Sequence, residues 1–144
     1  MNVESILRNK GRNVETIAPD AKVIFAIHKL TSLGIGALVV SSDGQRVDGV
    51  ISERDIVWGL NRHGAQLLDL QVHDVMSRAV PVCSPEDSIT AVMAEMTRSR
   101  HRHVPVVSND QLAGLVSIGD VVKRRLEELE LETNVLRDAY RVSR

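Results

Sequence analysis

The chain has 144 residues, enough for one domain that buries roughly 70% of the surface its unfolded form exposes, so its core can form without disulfide or metal staples. Eighteen basic residues against nineteen acidic ones leave a net charge of −1, and aromatics make up only 2%. This excludes a general affinity for nucleic-acid backbones or anionic membranes and removes the stacking platforms that single-strand binders use. Cys83 is the only cysteine, the N-terminus carries charges where a signal peptide needs an apolar core, and no apolar run approaches a membrane span. The expectation is a cytoplasmic protein with an aliphatic core.

After a charged N-terminal segment, residues 14–17 form a short extended stretch, and Pro19 with the acids around it suits a helix N-terminus. Apolar residues at 23, 26, 27, 30 and 33 then follow helical spacing. A buried strand "ALVV" (37–40), a polar turn "SSDGQ" and a second strand ending in "GVISERD" (49–55) come next, with a further helix from near Glu53. The linker contains "VHDVMS" (72–77).

The whole order then recurs at offsets of 65 to 67 residues, and such self-similarity sets the architecture. Residues 80–83 are the second extended stretch; 89, 92, 93 and 96 mark the second helix; "VPVV" (104–107), "SNDQ" and "GLVSIGD" (114–120) follow, with a helix from near Gly119. The unit is β-α-β-β-α, present twice. The fold expected is α+β, with two repeats packed as a pseudo-two-fold pair. In chain order residues 1–70 hold the N-terminal segment and repeat 1, 71–126 the linker and repeat 2, and 127–144 a C-terminal helical extension. In that extension Val122, Leu126, Leu129, Thr133, Leu136 and Tyr140 step by fours and threes, a heptad-like seam on a helix about 30 Å long. The seam and the two-fold relation predict a homodimer.

Ser52 with Asp55, and Ser117 with Asp120, have the spacing of a helix capping box in its Asp variant. The same position suits a ligand. A helix N-terminus offers free N–H groups to a phosphate, a serine hydroxyl bonds phosphate or ribose, and an aspartate in the first turn accepts a ribose diol. "RSRHRHVP" (98–105) is the one dense cationic run, readable as a solvated helix end or as an anion clamp. His101 and His103 lack the further ligands that zinc requires, so no metal is expected. No nucleophile, base and orienting group occur at meaningful spacing, so no catalytic residues are assigned.

The duplicated order, with "GVISERD", "GLVSIGD", "RHVPVV" and "VHDVMS", resembles the tandem cystathionine-β-synthase (CBS) domain pair over roughly residues 1–126, and the chain looks like a stand-alone member. The resemblance implies a regulatory module that binds adenine nucleotides or related adenosyl compounds, with AMP, ATP, NAD and S-adenosylmethionine as candidates. It assigns Ser52, Asp55, Ser117 and Asp120 to the nucleotide, and Arg102 and His103 to its phosphates. Repeat 1 has Ile35 and Gly36 where repeat 2 has that basic pair, leaving Arg54 as its substitute. Ile17 and Val82 would flank the adenine, and the backbone near Ala37 and Val104 would read its edge. The competing expectation is an interaction or scaffold protein whose motifs serve only as helix caps. The regulated target is not encoded in these residues.

Overall fold

Asn2 starts the first helix: its side-chain oxygen accepts the N–H of Ser5 at 3.2 Å, and α1 runs over Val3–Lys10. The structure is a computed structural model, described over residues 1–142. Repeat 1 comprises β1 (Thr16–Ile17), α2 (Val23–Leu33), β2 (Ala37–Val40), β3 (Gly49–Ser52) and α3 (Glu53–His63). A 3-10 segment over Gly64–Asp69 and the short helix α4 (Val72–Val75) link it to repeat 2, made of α5 (Ile89–Ser99), β4 (His103–Ser108), β5 (Gln111–Ser117) and α6 (Ile118–Val142). The architecture is α+β, with two small sheets and their helices, and the C-terminal helix is present.

In the first sheet β1 runs parallel to β2, with Thr16 opposite Val39, and β2 runs antiparallel to β3, with Leu38 opposite Ile51. In the second, β4 and β5 form a hairpin in which Ser108 pairs with Gln111. Asn109 and Asp110 between them both take left-handed conformations, as the twist of a two-residue hairpin requires. The extended stretch expected at 80–83 shrinks to one parallel bridge, Cys83 to Val106. Pro81 has no N–H to give to a ladder and Val82 is 52% exposed, so neither extends the pairing.

The two flanking helices are exchanged between the repeats. Val3 N–H donates to Asp87 and Glu4 N–H to Pro85, which dock α1 on repeat 2, where Val3, Ile6 and Leu7 join a core with Ile89, Val92, Met96, Val104, Val106 and Val116. The linker does the same for repeat 1. Val72 N–H donates to Ala21 and His73 N–H to Pro19, and Val72 packs with Ile17, Ala26, Leu30, Leu38, Val40 and Ile51. Each core is aliphatic, as the shortage of aromatics dictates, and each is closed by a helix that lies outside its own β-α-β-β-α unit. Full burial of one such side chain contributes about 1.5–3 kcal/mol, so neither covering helix is dispensable.

Candidate functional site

The first repeated motif forms at the β3–α3 junction. Asp55 accepts Ser52 N–H at 2.8 Å and the Ser52 hydroxyl at 2.9 Å, while Asp55 N–H reaches back to that hydroxyl at 3.4 Å. This is a complete capping box. The other Asp55 carboxylate oxygen accepts the Ser77 hydroxyl at 2.9 Å, so the linker motif "VHDVMS" ends on the site. The second motif repeats the box: Asp120 accepts Ser117 N–H at 2.9 Å, and Asp120 N–H donates to the Ser117 hydroxyl at 3.1 Å.

The two boxes differ in their third partner. In repeat 1, Ser77 N–H donates to the Val50 carbonyl at 2.9 Å while its hydroxyl holds Asp55. In repeat 2 one side chain covers both functions: Lys10 Nζ lies 2.8 Å from the Leu115 carbonyl and 2.7 Å from the Asp120 carboxylate. Burial opposes ionisation of Asp120, but the Lys10 ammonium and the Ser117 N–H outweigh it and hold the carboxyl below its ordinary range.

Between the repeats lies an open cleft of about 1100 Å³, lined by Ser52, Glu53, Arg54 and Asp55 from repeat 1 and by Arg100, His101, Arg102 and His103 from repeat 2. Asp120 and Lys10 border a separate hollow of about 230 Å³ between α1 and α6. The large cleft brings the N-terminus of α3 to face the cationic run across the pseudo-two-fold. Gly36 makes room for this meeting, since a Cβ there would sit 3.3 Å from the His103 ring and 3.2 Å from Glu53.

The cations on the cleft are not equivalent. Arg54 donates to the Arg100 carbonyl at 3.3 Å and lies 5.3 Å from the centroid of the Trp58 ring, one turn along α3. Arg100 caps α5 in a left-handed conformation with φ 60°, the position that Gly34 fills at the end of α2. A side chain there costs on the order of 1 kcal/mol over glycine, and repeat 2 bears that strain while placing a cation on the rim. Burial pushes the His103 imidazole below its usual value, with the nearby Lys10 adding to the effect, so it stands neutral at pH 7. Arg102 is exposed and, among the described residues, makes no hydrogen bond or ion pair through its side chain. Like Arg100, which is also exposed and has no side-chain bond among the described residues, it is available to an incoming anion.

Of the residues singled out in the sequence, Ser52, Arg54, Asp55, Arg102 and His103 come together on this cleft, whereas Ser117 and Asp120 sit at the α6 start. Ile17, Ala37 and Val104 are buried among core side chains and Val82 faces solvent; none of the four lines the cleft. Glu53, Trp58, Ser77 and Arg100 were not singled out as site residues. The Arg54–Trp58 pair at helical spacing and the end of "VHDVMS" were their available signals. Burial pushes the Cys83 thiol up to about 12, an inert state. No helix among the described residues is long and apolar enough to cross a membrane.

Known proteins share this arrangement. A CBS-domain containing protein from Agrobacterium tumefaciens is 41% identical, with a TM-score of 0.83 over 87% of this chain and 99% of that one. The CBS domain-containing protein CBSX3, mitochondrial, of Arabidopsis thaliana is 31% identical over 134 residues, which are 88% of this chain and 65% of that protein. A Thermofilum pendens protein is 35% identical over 67% of this chain and 31% of its own length, so this chain spans less than two thirds of either of these curated relatives. The CBS domain pair of protein MJ0100, solved in complex with 5′-methylthioadenosine and S-adenosyl-L-methionine, shares the fold at 20% identity and a TM-score of 0.76, over 85% of this chain and 98% of that one. The CBS domain profile matches residues 3–61 and again 72–127, and with the doubled capping-box motif and the paired cores this places the chain in the CBS domain family, as two domains in tandem.

Proposed function

We propose that this chain is a regulatory module, not an enzyme, that takes one adenosyl ligand in the cleft between its repeats and passes occupancy to a target through a change in shape or partner affinity. The observation that carries this reading is the convergence of the α3 N-terminus, with Ser52 and Asp55, on Arg100, Arg102 and His103 of the other repeat in a single space of about 1100 Å³. The positive end of α3 and an unpaired guanidinium suit a phosphate, and Asp55 suits a ribose diol once Ser77 yields its hydrogen bond. AMP, ATP, NAD and S-adenosylmethionine are the candidate ligands; MJ0100, which shares the fold, was solved with two adenosyl compounds. The setting is a cytoplasm, and the working unit is a homodimer, in keeping with the exposed apolar residues Val57 and Trp58 on α3 and Leu126 and Leu136 on α6.

A scaffold without a nucleotide is the second reading, favoured by one observation: both motif aspartates are already engaged in capping boxes. Thermal melting in AMP, ATP, NAD and S-adenosylmethionine separates the two. A preferred ligand at 100 times its dissociation constant adds about 2.7 kcal/mol, which raises the melting temperature by about 5–10 °C for a chain of this size. Flat curves with all four would support the scaffold.

A further inference from the structure

Every described residue from Leu129 to Val142 is exposed, although all of them belong to α6. An exposed helical stretch of this length is marginal in water without a packed face, and the same stretch carries Leu129 at 41%, Leu136 at 70% and Tyr140 at 60% exposure. The face calls for a cover, and its flanking charges select one. With Val122, Leu129 and Leu136 on one line of the seam and Leu126, Thr133 and Tyr140 on the other, Arg125 and Glu132 flank it on one side and Lys123, Glu130 and Arg137 on the other.

In a parallel, in-register pair, each first-side residue faces the second-side residue five positions on in the other chain. Arg125 then meets Glu130 and Glu132 meets Arg137, and each contact occurs twice, giving four attractive pairs around an unbroken seam. Arg125 already bonds Glu128 of its own chain at 2.9 Å, and a guanidinium has donors for both. The antiparallel pairing that keeps all six seam residues covered sets Val122 against Tyr140 and Leu126 against Leu136. It places Glu130 against Glu130, Glu132 against Glu132 and Lys123 against Arg137, all repulsive. Sliding the antiparallel pair by one heptad brings Glu130 to Arg137 but uncovers Val122 and Leu126, and sliding it the other way brings Lys123 to Glu130 and Arg125 to Glu132 but uncovers Leu136 and Tyr140, so only the parallel pair combines attractive flanks with an unbroken seam.

We infer that α6 is a parallel two-stranded coiled coil with α6 of a second copy, so the two CBS pairs stand side by side about a two-fold axis parallel to this helix. The inference rests on the homodimer proposed above and adds its orientation, so the two can fail separately.

The test uses full-length protein. Leu126→Cys lies at an exposed position and leaves the core untouched. In the parallel pair the introduced thiol faces its own copy and should form an interchain disulfide in glutathione redox buffer; wild type, with only buried Cys83, should not. Two of the antiparallel registers hold the introduced thiols about 15 Å apart or more; the third, with Leu126 opposite Leu129, brings them within about 5 Å along the axis but sets Glu132 against Arg125, so there Arg137→Glu cannot rescue Glu132→Lys. Glu132→Lys should weaken the dimer about tenfold by sedimentation, and Glu132→Lys/Arg137→Glu should restore it. A dimer that persists without the Leu126→Cys cross-link, or that ignores Glu132→Lys, overturns the coiled coil and leaves the homodimer standing. A wild-type chain that stays monomeric overturns both.

Discussion

A chain that begins at Arg12 should lose the cooperative fold of repeat 2 while repeat 1 keeps much of its own. The deletion removes Val3, Ile6 and Leu7, which are 0%, 4% and 1% exposed and pack against Ile89, Val92, Met96 and Val116. Large-to-small changes at single positions of this kind cost about 2–5 kcal/mol, and three together approach the whole stability of an ordinary domain. The loss extends beyond the core. Arg124 would lose the Ser5 carbonyl that it donates to at 2.8 Å, and Asp120 would lose Lys10. Repeat 1 is spared because its covering helix, α4, comes from the linker and its docking bonds to Ala21 and Pro19 remain. Hydrogen exchange should show protection lost across 83–121 and retained across 37–52. Full protection in both, with a melting temperature within a few degrees of the intact chain, would refute the exchange of covering helices.

That exchange also marks the limit of what could be read from the residues alone. Periodicity and turn chemistry act over a few positions, so the doubled β-α-β-β-α order, both capping boxes and the long C-terminal helix were legible. The placement of α1 was not, because it depends on Val3 N–H reaching Asp87 and on Lys10 reaching Asp120, 110 residues away. The short first strand of repeat 2 was overestimated because its apolar pattern says nothing about Pro81 lacking a donor. The site divided in the same way. Ser52 and Asp55 announced themselves by spacing, whereas the meeting of Gly36 with His103 depends on the packing of one repeat against the other.

Gly49→Val should lower the melting temperature by about 6–18 °C. The glycine that opens the first motif is needed for the approach of a neighbouring backbone: a Cβ at Gly49 would fall 2.5 Å from the Ser77 carbonyl oxygen and 3.1 Å from the Met76 sulfur. That carbonyl accepts Val50 N–H at 3.0 Å while Ser77 N–H returns to the Val50 carbonyl, so an isolated antiparallel bridge holds the linker against β3, and the linker cannot retreat without breaking both bonds. Overpacking costs about 1–3 kcal/mol and two lost hydrogen bonds about 1 kcal/mol each, for a total of about 3–5 kcal/mol. At Gly114 the same Cβ meets the side-chain end of Leu7 at 2.5 Å, which can turn aside, so Gly114→Ala should cost less than Gly49→Ala. Equal melting temperatures for those two alanine variants would contradict this account of the motif glycine. Because Ser77 also holds Asp55, Gly49→Val should disturb the cleft as well as the fold.

The central claim is that one adenosyl ligand sits between the repeats with its phosphate on Arg102, a cation whose side chain the protein leaves unpaired. Titration calorimetry of AMP and adenosine against wild type and Arg102→Ala tests it most directly. One AMP per chain is the predicted stoichiometry, with AMP affinity at least tenfold weaker in Arg102→Ala, the loss of about one charge-assisted contact, and adenosine affinity unchanged because it has no phosphate for the guanidinium to meet. Arg102→Ala protein that binds AMP as wild type does, or a wild-type chain that gives no heat with either compound, would contradict it.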